Sequence, residues 1–293
     1  MGRKPRDLRG NRARLGAVAA LVASLAGLLA AAPSQASPPP PGARYVALGS
    51  SFASGPDLGP PRPDTPPRCT RSALSYPVLL AKRLKLSLDD QTCSGATTEH
   101  VLGSWNELPP QIEAVTADTG LVTATIGGND IYYSSGLIAA ACKGGTFMLA
   151  GNARPCPPRK VVDEAAYAPL ERNLTRIVSE VRRRAPKARL IFVEYPTMVP
   201  QHLCALTPLS AEDAAENRRK AARLAEITER VARKGAAEVI PMDRLGQTHT
   251  GCSAHPWING FPAPPAGGDG IAWHPNRAGM RMMADLLAAR LTR

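Results

Sequence analysis

An α/β fold with a central parallel sheet covered by helices is predicted by three observations. Strand-like apolar runs recur at Tyr45–Leu48, Leu121–Ile126 and Leu190–Tyr195, and longer stretches with apolar residues at helical spacing lie between them. That alternation builds parallel sheets rather than hairpin-connected ones. The first two runs also stop in glycine-bearing turns, Gly49-Ser50-Ser51 and Gly127-Gly128-Asn129-Asp130, as strands do when they deliver side chains to the crevice at the carboxyl edge of an open sheet. There is no internal repeat and no second core, so one domain is expected over residues 44–293.

The chain has 293 residues. Arg3, Lys4, Arg6, Arg9, Arg12 and Arg14 form a basic opening, Leu15 to Ala32 is almost unbroken Ala, Leu and Val, and Ser34-Gln35-Ala36 fits a small-x-small cleavage site. Residues 1–36 therefore read as a cleaved signal peptide, and 37–43 as a Pro-rich lead-in. Cleavage removes six basic groups and one acid, taking the net charge from +12 to about +7. The excess is mostly Arg scattered along helices with few interleaved aromatics, which describes a solvated surface rather than a nucleic-acid site. No later segment is long and apolar enough to span a bilayer, so no membrane insertion is expected after cleavage.

The first strand runs into the Ser51 turn, where Gly49 allows the sharp bend. Asp57 to Thr70 is too rich in proline for helix or strand. A helix follows over Tyr76–Leu86, with Val78, Leu79, Ala81 and Leu84 inward, and a short extended segment then leads to the turn Cys93-Ser94-Gly95-Ala96-Thr97. Leu108-Pro109-Pro110-Gln111-Ile112 opens a short helix before the second long strand. Residues 137–160 form a Gly- and Pro-containing excursion. Leu170, Leu174, Ile177, Val178 and Val181 mark the inner stripe of a helix over Glu164–Arg184, which Pro186 ends. Ser210 and Asp213 make a capping pattern for a helix reaching Lys234, with Gly235 as its stop. Glu238–Met242 is a short strand, 251–271 a Pro- and Gly-rich loop, and Asn276–Leu291 a final helix.

Cys69, Cys93, Cys142, Cys156, Cys204 and Cys252 form an even set behind an export signal, which implies disulfides. Six cysteines allow fifteen connectivities. Nearest-neighbour pairing is the one expected, though the sequence alone leaves the choice open. No Cys-x-x-Cys occurs, which argues against a zinc ribbon or redox motif.

Four turns carry the chemistry. Acyl transfer from an ester needs a nucleophile, a base for its proton, and donors where the oxyanion develops. Ser51 supplies a hydroxyl and a backbone N–H, Gly95 a backbone N–H with no side chain in the way, and Asn129 an amide donor. His274 is the base, since imidazole titrates near neutrality. Taken singly, Ser51 is a helix cap, Gly95 a turn glycine, Asn129 a cap and His274 a packing histidine. Their joint occurrence at sites that a parallel sheet brings together changes the reading. His100, His202, His249 and His255 lack such context and are assigned to surface or structural roles.

Gly49-Ser50-Ser51-Phe52, Cys93-Ser94-Gly95, Ile126-Gly127-Gly128-Asn129-Asp130 and Trp273-His274-Pro275-Asn276 together resemble the four sequence blocks of the SGNH (GDSL) hydrolases, from about Tyr45 to Leu287. The cysteine layout and Pro256-Trp257-Ile258-Asn259-Gly260 are similar to the secreted actinobacterial lipases and esterases of that family. The resemblance implies a flavodoxin-like three-layer α/β/α sandwich and a secreted esterase or lipase, and a monomer is expected. Its implied site is Ser51 as nucleophile, His274 as base and Ser51, Gly95 and Asn129 as oxyanion hole. It also implies no metal or organic cofactor, and disulfides Cys69–Cys93, Cys142–Cys156 and Cys204–Cys252. The expected partner is a small-molecule or lipid ester.

The chain departs from the family pattern twice. Ser50 stands where the first block usually has Asp, and Ile271 stands where an Asp often precedes the histidine by three residues. A Ser51–His274 dyad is therefore expected, oriented by the backbone carbonyl of Ile271, with the Asp269 carboxylate as the competing orienter. An esterase of acetylated glycans, an α/β-hydrolase, a metal hydrolase using His249, His255 or Asp269, and a non-catalytic protein binding anionic surfaces are the alternatives. The Asp57–Thr70 and 251–271 segments are expected to rim the site.

Overall fold

A computed structural model describes residues 2, 38–63, 65–142, 145–149, 152–262 and 268–293. Apart from Gly2, the expected signal peptide and its cleavage site lie outside the described residues. The strands are β1 (Arg44–Gly49), β2 (Ser87–Asp90), β3 (Thr119–Thr125), β4 (Thr146–Leu149), β5 (Asn152–Pro155), β6 (Arg189–Val193) and β7 (Glu238–Ile240). The helices are α1 (Ser51–Ser54), α2 (Tyr76–Leu84), α3 (Thr98–Leu102), α4 (Tyr133–Ala141), α5 (Tyr167–Arg184), α6 (Ala211–Lys234), α7 (Met242–Leu245) and α8 (Arg277–Leu291).

Five strands make a parallel sheet in the order β2-β1-β3-β6-β7. Alternate residues of each strand feed opposite faces. Val46, Leu48, Val122, Ala124, Leu190 and Phe192 pack with α3, α4, α5 and α6. Tyr45, Ala47, Leu121, Ile191 and Val193 pack with α2 and α8. A sheet buried on both faces needs apolar residues at nearly every strand position, which is why these strands read as continuous runs. The result is a three-layer α/β/α sandwich. Its chain order reverses between β1 and β3, and a crevice opens at such a switch point.

The excursion at 137–160 is more ordered than expected. Its start continues α4, and β4 and β5 pair as an antiparallel hairpin beside the Cys142–Cys156 bridge. In α2 the inward residues are Tyr76, Val78, Leu80 and Ala81, with Leu79 only half-buried. The bridges Cys69–Cys93 and Cys204–Cys252 complete the three nearest-neighbour pairs. Ser210 caps α6 through the Asp213 N–H at 3.0 Å. The two loops expected to rim the site meet where the Gly270 N–H donates to the Asp57 carbonyl at 3.0 Å. Among the described residues no helix is long and apolar enough to cross a membrane.

Candidate active site

β1 ends at Gly49, whose φ of +142° is open to glycine alone. A Cβ there would lie 2.6 Å from the Thr125 carbonyl oxygen, so β1 and β3 approach this closely only because the side chain is missing. The Ser50 N–H donates to that same carbonyl at 3.0 Å. Ser51 is thereby the first residue of α1, and Gly55 closes that single turn in the left-handed region at φ +72°.

The Ser51 hydroxyl does not cap the helix. Its Oγ lies 2.8 Å from His274 Nε2, and His274 Nδ1 lies 2.8 Å from the Ala272 carbonyl oxygen. A carbonyl only accepts, so Nδ1 carries the proton and Nε2 is left bare to accept the Ser51 O–H. Both side chains are buried, with 6% and 4% exposure. The Phe52 ring packs 4.5 Å from the imidazole, centroid to centroid. Burial pushes the His274 pKa down to about 4, partly opposed by the Ala272 carbonyl, so the ring is neutral at pH 7 and free to take a proton.

The orienting acceptor differs from both expected ones. The Ile271 carbonyl accepts the His274 backbone N–H at 3.3 Å and the Asn259 amide at 3.3 Å, not the imidazole. The Asp269 carboxylate accepts the Arg277 N–H at 2.7 Å, in the first turn of α8, where a negative charge suits the helix dipole. Asp269 is thus engaged by a helix end, and Ala272 holds the ring.

Gly95 lies in the turn after β2, at φ +85°. The Cys69–Cys93 bridge and the Cys93 N–H, which donates to the Gly49 carbonyl at 2.9 Å, tie this turn to the Ser51 turn. The Trp105 ring edge stands 3.3 Å from where a Cβ of Gly95 would be. Among the described residues, no protein acceptor takes the backbone N–H of Ser51 or of Gly95. Asn129 Nδ2 donates one hydrogen to the Ala96 carbonyl at 2.9 Å; its second amide hydrogen is available to a ligand. Asp130 accepts the Thr98 N–H and hydroxyl and so staples the β3 turn to the Gly95 turn. The three expected donors therefore share one set of interlocked turns with the dyad.

Two positioning side chains are absent from the sequence reading. Gln111 grips Gly49 from both sides: its Oε1 accepts the Gly49 N–H at 2.8 Å and its Nε2 donates to the Gly49 carbonyl at 3.0 Å. Tyr195 OH accepts the Gly128 N–H at 2.9 Å and pairs with Ser50 Oγ at 3.3 Å. A Cβ on Gly128 would fall 2.7 Å from the Tyr195 ring, so Gly128 is what admits the tyrosine. The only sequence signal for Tyr195 was Ser50 itself, a short hydroxyl where a carboxylate is usual.

Of the other histidines, His202 and His255 are exposed, and His100 and His249 take structural positions. His100 stacks on Trp105 at 4.1 Å and accepts the Thr97 N–H at 3.0 Å. His249 stacks on Trp257 at 3.8 Å and donates to the His255 carbonyl at 2.8 Å. The metal alternative finds no support in the geometry: among the described residues His249, His255 and Asp269 do not gather into a ligand set.

Residues 47–282 match the model of the GDSL-like lipase/acylhydrolase family. The chain is 32% identical to Lipase 2 of Streptomyces coelicolor over 96% of both chains. It is 28% identical to a lipase of Streptomyces rimosus over 75% of this chain and 77% of that one. In fold, it is similar to phospholipase A1 from Streptomyces albidoflavus (TM-score 0.67, 23% identity, 85% of this chain and 99% of that one). The extracellular lipase of Streptomyces rimosus is equally similar in fold (TM-score 0.66, 24% identity, 84% and 99%).

Proposed function

The chain belongs to the GDSL-like lipase/acylhydrolase family, and from that premise we propose that it is a secreted carboxylic ester hydrolase acting on lipid or other acyl esters through an acyl-Ser51 intermediate. The observation that carries the reading is the hydrogen-bonded line Ser51 Oγ, His274 Nε2, His274 Nδ1, Ala272 O.

Ser51 Oγ attacks the ester carbonyl carbon while its proton passes to His274 Nε2. The oxyanion accepts hydrogen bonds from the backbone N–H groups of Ser51 and Gly95 and from Asn129 Nδ2. The C–O bond to the alcohol then breaks, and His274 returns the proton to the departing oxygen. Water attacks the acyl-Ser51 carbonyl, gives a proton to His274, and the collapse of the second intermediate releases the acid and restores the serine hydroxyl. Throughout, the Ala272 carbonyl keeps the tautomer fixed, and it stabilises the imidazolium as a dipole rather than as a full charge.

Ser51→Ala and His274→Ala should each lower kcat on p-nitrophenyl esters by about a thousandfold or more. Retention of activity in either variant would falsify the dyad. The enzyme is proposed to act as a monomer outside the cell, after removal of residues 1–36. Sequencing the exported protein should then read Ser37 as its first residue; an amino terminus still inside the apolar run would mean an anchored form.

A further inference from the structure

α4 opens at Tyr133, four residues after Asn129, and its outer flank forms one wall of a cleft of about 510 Å³. The first half of α6 and the segment at 159–164 form the others. Five cations line it, Arg159, Lys160, Arg219, Lys220 and Arg223, against three carboxylates. Three of the cations are matched: Arg159 with Asp213, Lys220 with Glu216 at 2.7 Å, and Arg223 with both Glu164 and Glu226, the latter at 2.8 Å. Arg219 and Lys160 have no carboxylate partner among the described residues, and Lys160 instead lies 5.9 Å above the Tyr132 ring.

Two features mark the cleft as a binding site rather than a solvated charged face. Asn217 is buried to 3% exposure in its wall, and neither Asn217 Oδ1 nor the buried Arg223 Nε has a hydrogen-bond partner among the described residues. Buried polar atoms left without partners cost stability and are rare in folded proteins. The Lys220 ammonium and Asn217 Oδ1 both face α4 at Gly136, 3.6 and 3.9 Å from where its Cβ would be. Val161, in the lining, is 95% exposed, and Tyr132, beneath Lys160, is 42% exposed. Such apolar side chains beside cations suit the boundary of a lipid layer.

We propose that this cleft binds the head group of an anionic phospholipid, phosphate against Arg219 and Lys160, and a head-group hydroxyl or ammonium donating to Asn217 Oδ1. Phosphate offers several acceptor oxygens, and the unpaired cations face it from two walls, Arg219 on α6 and Lys160 on the 159–164 segment. Asn217 Oδ1 can only accept, so the ligand must also carry a donor. Phosphoglycerol satisfies both demands, and phosphocholine, with no donor, satisfies one. The inference rests on the ester-hydrolase reading only for its use, which is to hold the enzyme on a lipid surface; binding is measured apart from turnover.

The test is co-sedimentation of the full chain with phosphatidylglycerol or phosphatidylcholine vesicles, with titration of free glycerol 3-phosphate as a separate arm. The wild type should prefer phosphatidylglycerol, and the double variant Lys160→Glu/Arg219→Glu should lose about tenfold or more of that affinity. Asn217→Leu should narrow the preference over phosphatidylcholine while keeping charge-driven binding. Hydrolysis of a short soluble ester should be unchanged in both, which controls for folding. Saturable binding of glycerol 3-phosphate without vesicle binding would still support a phosphate site, with a free phosphate ester as its ligand. Equal vesicle binding by wild type and the double variant, or binding of neither ligand by the wild type, overturns the proposal. Failure of the ester assay alone would count against the catalytic reading and leave the cleft standing.

Discussion

The serine turn and the histidine turn meet at one 2.8 Å hydrogen bond, yet they are held in opposite ways. The serine turn is gripped by the sheet. Gly49 is bonded on both sides by Gln111 and again by the Cys93 N–H, the Ser50 N–H reaches Thr125 on the next strand, and the Ser50 hydroxyl reaches Tyr195 beyond β6. The histidine turn is held by neighbouring loop and helix end. The His274 carbonyl accepts from Asn259, the Asn259 amide bonds the Asp269 and Ile271 carbonyls, and the Asp269 carboxylate accepts the first N–H of α8, which Asn276 caps. Trp273 sits in the left-handed region at φ +56° with its buried Nε1 unpartnered, a conformation that costs about 1–3 kcal/mol for such a residue. The nucleophile is thus placed by the invariable geometry of a parallel sheet, and the base by a strained loop that the rest of the site must hold closed.

That contrast predicts that loosening the serine turn does the greater damage. Gln111→Leu keeps the volume but leaves the Gly49 N–H buried without a partner, a loss of about 1–3 kcal/mol. We expect a lower Tm together with a fall of about tenfold to a hundredfold in kcat, since small misplacements of a nucleophile cost this much. An unchanged Tm and kcat would mean that the strands alone hold the turn.

The next largest effect is on pH dependence. With His274 held near 4 by burial, kcat/KM should keep its value down to about pH 5, where an imidazole of ordinary pKa would already have lost about thirtyfold of its neutral form. An acid limb at the ordinary histidine value would show that the site is wetter than its burial implies. Stability carries the same sign. The neutral ring is favoured by folding, so its contribution is complete above the unfolded pKa near 6.5 and is lost as pH falls toward 4. Glu194 opposes this. Burial and the nearby Glu229 and Asp243 raise its pKa to about 7, against the Asp243 N–H and Arg244, which lower it. Its contribution is therefore complete below the ordinary carboxylate range and lost as pH rises toward 7. The two slopes offset each other between about pH 4.5 and 6.5, so Glu194→Gln should expose a steeper acid loss of Tm than the wild type shows.

The same contrast explains what could be read from the chain. Ser51, Gly95, Asn129 and His274 were legible because each follows a strand or opens a helix, where glycine, asparagine and proline constrain the backbone locally. Gln111 and Tyr195 were not, because each bonds a backbone group more than sixty residues away and nothing at short range marks them. The orienting carbonyl was missed by a single residue. The left-handed step at Trp273 turns the Ala272 carbonyl onto the imidazole and leaves Ile271 to close the turn, and a positive φ at tryptophan has no sequence signature. The hairpin of β4 and β5 was hidden for a related reason: it is short and largely exposed, so no apolar alternation betrays it.

The smallest effect tests the weaker side of the comparison. If Asp269 serves only the amino end of α8, its charge is dispensable and its acceptor oxygen is not. Asp269→Asn retains an oxygen for the Arg277 N–H, so kcat on a short ester should stay within about threefold and Tm within about 0.5 kcal/mol of stability, the scale of an exposed charge at a helix end. Asp269→Ala removes the acceptor and should cost about 0.5–1.5 kcal/mol, the scale of one lost hydrogen bond, again with little change in kcat. A fall of orders of magnitude in kcat for the asparagine variant, at unchanged Tm, would mean that the carboxylate swings to His274 during turnover. The histidine turn would then be a mobile triad rather than a fixed dyad, and the asymmetry between the two turns would lie in their motion as well as in their bonding.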